Sequence, residues 1–114
     1  MNTLIGVPFR EHGRDSTGID CVGVVLAALE AITGRKVDPG MYHVPELESN
    51  VRRRVSAILR TKPYGIPESG DVVLMRGHLG VVVRNSVIHA SNIYGRVISE
   101  PIKSVPISAV YSMR

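Results

Sequence analysis

The chain has 114 residues, 44% of them hydrophobic and 21% charged, and a formal net charge of +4. This is one small domain, residues 1–114, able to bury about two-thirds of the surface its unfolded chain exposes. The balance excludes disorder and collagen-like repetition, and no apolar run nears the roughly 20 residues that a bilayer span needs. The single cysteine excludes an internal disulfide framework and leaves too few soft ligands for a structural zinc site.

The opening residues, from Met1 to Pro8, lack a basic segment followed by a long apolar one, so no export signal is expected. A first helix is predicted from about Asp20 to Thr33, with Asp20 as its N-cap and Gly34 as its stop. Glu30 is its only charge, so the helix should be central and buried. Pro39, Gly40 and Pro45 punctuate the loop that follows. Ser49 and Asn50 then open an amphipathic helix with Val51, Val55, Ile58 and Leu59 on one side and Arg52, Arg53 and Arg54 on a solvated face. Beyond Pro63 and Pro67 the texture turns β-branched. Strands are predicted over Asp71 to Arg76, His78 to Arg84, Val87 to Ser91, Arg96 to Glu100 and Ile107 to Met113. Helices followed by consecutive short strands indicate an α+β fold, a helix packed on a curled antiparallel sheet of about five strands.

The basic balance favours an anionic partner. Nucleic acid fits poorly, because Arg52 to Arg54 is the only dense basic run and there is one Phe and no Trp to stack on bases. No phosphate-cradling glycine loop is present, and no two histidines have metal-ligand spacing, so neither metal nor cofactor is expected.

Cys21 falls in the first turn of the buried helix, where backbone N–H groups and the helix dipole favour a thiolate. It is therefore a candidate nucleophile, the alternative being one more small buried apolar residue. Gly18 before it allows a sharp turn, and Gly23 after it a close backbone approach. A nucleophilic thiol needs a base and a group to orient the base. The histidines are His12, His43, His78 and His89, each of which, taken singly, reads as a satisfied or surface residue. If Asn85-Ser86 forms a two-residue hairpin, alternation puts His78 and His89 on one sheet face. A hairpin turning at Asn85-Ser86 would pair position 82 with 89 and set the two about 13 Å apart. Contact between them then requires a bulge, at Gly80 for instance, or another register. His12, Arg14 and Asp15 form a polar cluster that either lines a substrate groove or is a solvated loop. Asp71 after Gly70 reads as a turn residue entering a strand.

Gly18-Ile19-Asp20-Cys21-Val22-Gly23 before an apolar helix resembles the Asp-Cys-x-Gly motif of NlpC-type cell-wall cysteine peptidases. Gly70-Asp71-Val72-Val73 with His78-Leu79-Gly80-Val81-Val82 resembles that family's Gly-Asp strand and its base strand, and Val87-Ile88-His89-Ala90-Ser91 its third motif. The upstream Gly6-Val7-Pro8-Phe9-Arg10 and Gly13-Arg14-Asp15 are most similar to the phage-tail branch. The resemblance spans about residues 6 to 100, with its pieces in order.

The resemblance implies a papain-like α+β domain that hydrolyses amide bonds in peptidoglycan stem peptides, typically between D-glutamate and diaminopimelate. It implies Cys21 as nucleophile, His78 as general base and then acid, and His89 as the group orienting His78. His12, Arg14, Asp15 and Asp20 would bind substrate, with no cofactor. Phe9 stands where relatives usually have a Tyr, removing a hydroxyl donor, and Val22 where cellular members have Ser. The phage branch implies assembly in the host cytoplasm, a place in the virion's tail tip, and other tail-tip proteins as partners. The alternative is a structural tail component that keeps the fold with little turnover.

Overall fold

The computed structural model describes residues 2–42, 48–62 and 66–113. His43, Pro45 and Pro63 lie outside them. After a 3-10 turn at Asn2–Leu4, two short strands, β1 (Arg14–Asp15) and β2 (Gly18–Ile19), lead into helix α1 (Cys21–Thr33). Helix α2 (Glu48–Ser56) follows, then β3 (Arg60–Thr61), β4 (Val72–Met75), β5 (His78–Val83), β6 (Ser86–Ser91), β7 (Arg96–Pro101), a second 3-10 turn at Ile102–Ser104, and β8 (Ala109–Ser112). The large sheet runs β3-β8-β4-β5-β6-β7, with every neighbouring pair antiparallel.

The five predicted strands are all present. The sixth, β3, has only two residues, paired Arg60 with Ser112 and Thr61 with Tyr111. Two residues are too few to show a period, and they follow α2 so closely that they read as its tail. The β1–β2 pair escapes sequence reading for the same reason.

Helix α1 packs on β5 and β6. Asp20 caps its start by accepting the Gly23 N–H at 2.8 Å, and Gly34, in the left-handed region at φ 74°, closes its end. Val24, Ala28 and Leu29 of α1 are wholly buried against Val72, Leu74, Val81, Ile88 and Val97. Burying a Val or Leu side chain of this kind contributes about 1.5–3 kcal/mol, so this interface dominates the core. Val51 and Val55 of α2, with Leu59 beyond its end, join the same cluster. On the sheet's other face Val73, Met75, Val82 and Val87 lie under Ile102, Val105 and Ile107. Strand β4 is thus buried on both faces, which explains its unbroken apolar run.

Two expectations change. Arg54 leaves the solvated face of α2: its guanidinium lies 5.5 Å from the Tyr42 ring centroid and donates to the Met41 carbonyl at 2.6 Å. Gly18 makes no sharp turn. It pairs with Asp15 in β2, and a Cβ there would sit 2.5 Å from the Arg10 Cβ, so the position needs glycine for close approach. Asp71 does close a turn, accepting from the Glu68 N–H at 2.8 Å and from Lys62 Nζ at 2.7 Å.

Candidate active site

Cys21 is the first residue of α1 and is buried. Its position is fixed by the residue before it. The wholly buried Asp20 carboxylate takes four donors: Oδ1 accepts from the Gly23 N–H and from Arg14 Nη1 at 2.9 Å. Oδ2 accepts from the His12 N–H at 2.8 Å and from the Tyr42 hydroxyl at 2.6 Å. Arg14 Nη2 in turn donates to the Tyr42 hydroxyl. Asp20 therefore ties the loop before α1, the helix start and the segment after α1 into one knot.

The side chains of Cys21, His78 and His89 line one cavity of about 410 Å³, together with Leu79, Tyr42 and Glu100. His78 opens β5 directly after the two-residue turn Arg76-Gly77, whose φ values of 51° and 78° are both left-handed. That geometry suits Gly77 and fixes the β4–β5 register with Met75 opposite His78.

The β5–β6 hairpin decides whether the histidines meet. Val83 pairs with Ser86 and Val82 with Val87, so the turn is Arg84-Asn85, one residue earlier than expected. Continuing that register puts His89 opposite Gly80, two residues from His78 along the strand instead of four. Gly80 leaves the space between them open, since a Cβ there would lie 3.3 Å from the His89 Cβ and 2.5 Å from a Val87 methyl. His78 Nε2 is 2.9 Å from His89 Nδ1, with the rings edge-to-face at 79°. The ladder's last pair is Val81 with Ile88, and the meeting follows from the alternative register.

His89 Nε2 lies 3.0 Å from Glu100 Oε1, a contact the sequence reading missed. The signal was available: with Ser91 opposite Arg96, Glu100 falls on the His89 face of β7.

Of the residues expected to bind substrate, none lines the cavity. Asp20 is committed to its four internal donors. Asp15 is exposed, and its carboxylate closes a turn on Thr17, which holds its pKa below the usual carboxylate range. His12 Nε2 lies 2.8 Å from the Tyr42 carbonyl oxygen. Phe9 is partly buried against the core, and the phenol in the cavity wall is that of Tyr42. Burial and its bond to Asp20 push the Tyr42 hydroxyl pKa up.

The electrostatics of the thiol differ from expectation. Burial pushes the Cys21 pKa from 9.0 up to about 11, against the opposing pull of the Leu79, Val22 and Cys21 N–H groups. Desolvation of a thiolate outweighs a few backbone dipoles. Burial and the neighbouring His89 lower the His78 pKa from 6.5 to about 4. The resting site therefore holds a neutral thiol and a neutral imidazole at neutral pH. Alkylation of Cys21 by iodoacetamide is accordingly expected to be slow at neutral pH and to climb towards pH 11. A rate already at its plateau at neutral pH would overturn this.

No family model matches the sequence, and no curated protein matches it. Among solved structures, the chain is similar to the crystal structure of the NlpC/p60 domain of the peptidoglycan hydrolase SagA. The TM-score is 0.71 at 20% identity, over 97% of this chain and 91% of that one. The fold is that of an NlpC/p60 domain. This papain-like α+β architecture, with the cysteine at the start of its helix and a mostly antiparallel sheet, is the one expected from the sequence. Among the described residues, no group of three His, Cys, Asp or Glu side chains is placed to hold a metal ion, and no helix is long and apolar enough to cross a membrane.

Proposed function

We propose that this chain is a cysteine endopeptidase that hydrolyses amide bonds in peptidoglycan stem peptides. The observation that carries the reading is the convergence of Cys21, His78 and His89 on one cavity, with His78 hydrogen-bonded to His89. The likeness in fold to a domain of a peptidoglycan hydrolase supports it.

The chemistry follows from the atoms present. His78 Nε2 is committed to His89, which leaves Nδ1 to take the thiol proton as Cys21 Sγ attacks the scissile carbonyl. Because both groups rest neutral, proton transfer accompanies attack instead of preceding it. The Gly23 N–H is held by the Asp20 side chain and the Val24 N–H by the Asp20 carbonyl. The Cys21 and Val22 N–H groups remain beside the sulfur to stabilise the tetrahedral oxyanion. The C–N bond then breaks, with His78 returning its proton to the leaving amine. Water, deprotonated by His78, hydrolyses the thioester and restores the thiol.

The test is digestion of diaminopimelate-type peptidoglycan by the wild-type protein and by Cys21→Ala, with products read by mass spectrometry. Stem-peptide fragments are expected from the wild type alone. We place the chain in a phage tail tip, among other tail proteins, on the resemblance of residues 6 to 15. Purified tails containing it should then show the same cleavage. The second reading, a tail-tip component with a peptidase-like fold and little turnover, is favoured by the neutral resting thiol and imidazole. Fragments from neither protein nor tails would establish it.

A further inference from the structure

The hydrogen-bonded row in the cavity wall has one more member than a cysteine, a base and an orienting group require. Glu100 Oε1 lies 3.0 Å from His89 Nε2, and His89 Nδ1 lies 2.9 Å from His78 Nε2. We propose that Glu100 is a positioning residue that sets the tautomers of both histidines, and so leaves His78 Nδ1 as the unprotonated nitrogen available to Cys21. The inference rests on the peptidase reading for its purpose, though not for its geometry.

The argument is one of donors and acceptors. An ionised carboxylate offers only lone pairs, so the proton in the Glu100–His89 contact belongs to His89 Nε2. A neutral imidazole carries one N–H, so His89 Nδ1 is then a lone pair. The short nitrogen–nitrogen contact needs one donor, which must be His78 Nε2. His78 Nδ1 is left bare. Without the carboxylate either ring can turn its tautomer over, and in the reversed row His78 Nδ1 carries the proton and cannot act as a base. The placement favours control by Glu100. The His89 side chain is 10% exposed and the Glu100 side chain 35%, so the pair is shielded while the carboxylate keeps a wet edge. Strand pairing fixes the spacing, with His89 opposite Ile98 and Glu100 opposite Val87.

The experiment reads the tautomers directly, through long-range proton–nitrogen correlations of the histidine rings in ¹⁵N-labelled protein at neutral pH, together with kcat and KM on a stem peptide. In the wild type both rings are expected to carry their proton on Nε2. Glu100→Gln, whose amide can donate to His89, is expected to shift both rings towards Nδ1–H and to lower kcat about 10²-fold with KM little changed. Glu100→Asp, which restores the carboxylate, is expected to recover the Nε2–H tautomers. Nδ1–H on His78 in the wild type would overturn the inference, as would unchanged tautomers in Glu100→Gln. The spectra require no turnover. A wild-type protein with Nε2–H rings and no hydrolysis would therefore sink the peptidase reading and leave the role of Glu100 standing.

Discussion

Replacing Asp20 by alanine is expected to cost about 3–5 kcal/mol of stability, read as a lower midpoint in urea denaturation. The carboxylate is wholly buried and holds four donors from three parts of the chain. Its removal deletes the cap of α1, worth about 1 kcal/mol. It also leaves Arg14 without its charged partner, and the Tyr42 hydroxyl and the His12 N–H without acceptors. A domain of this size has about 5–15 kcal/mol in total, so the variant should sit close to unfolding. Asp20→Asn separates the contributions. Its carbonyl can still accept from Gly23 and Arg14, whereas its NH₂ would face two donors where Oδ2 stood. An intermediate loss is expected. A cost under about 1 kcal/mol for Asp20→Ala would show that the buried pair is replaceable by packing.

Asp20 also shows what kind of information the sequence held. The N-cap, the helix from Cys21 to Thr33 and its Gly34 stop were legible because capping is local. The other three donors come from positions 12, 14 and 42, and no local rule brings Tyr42 to Asp20. The polar cluster at His12, Arg14 and Asp15 thus looked like a groove lining, whereas Arg14 is a clamp on the helix start. Arg54 misled in the same way. Its place on α2 suggests solvent, and only the fold puts Tyr42 in front of it.

The active-site row divides along similar lines. Strand alternation together with a two-residue turn places His78 and His89 on one face. Their separation depended on which two residues form the turn, and Arg84-Asn85 in place of Asn85-Ser86 halves the offset. Arg84 takes a left-handed φ of 56°, which arginine seldom adopts, so composition pointed elsewhere. The thiol's electrostatics failed for a different reason. The helix start is visible in sequence, but the depth of the sulfur is set by α1 lying on β5 and β6, and burial wins.

Among variants that keep the nucleophile, His78→Ala is expected to lose about 10³-fold or more in kcat/KM with the fold retained, since general-base catalysis supplies about 10²–10⁴-fold. His78 is half-buried at the start of β5 and belongs to neither apolar cluster, so its removal should cost the base more than the core. The pH profile provides the sharper test. The working form of His78 is the neutral one, and its pKa is lowered from 6.5 to about 4 by burial first and then by His89, against a weaker opposing pull from Asp20. As pH falls from neutral, kcat/KM is expected to hold through 6.5 and to fall only near 4. The same shift acts on stability. The unfolded chain takes up the proton near 6.5, whereas the folded chain refuses it until about 4, so stability is full above 6.5 and declines across that window. The decline attributable to His78 amounts to about 3 kcal/mol at most, and it should vanish in His78→Ala. An acid limb near 6.5 in the wild type would mean that His78 is solvated in the working enzyme. In that case proton transfer to it would be far easier than the resting structure implies.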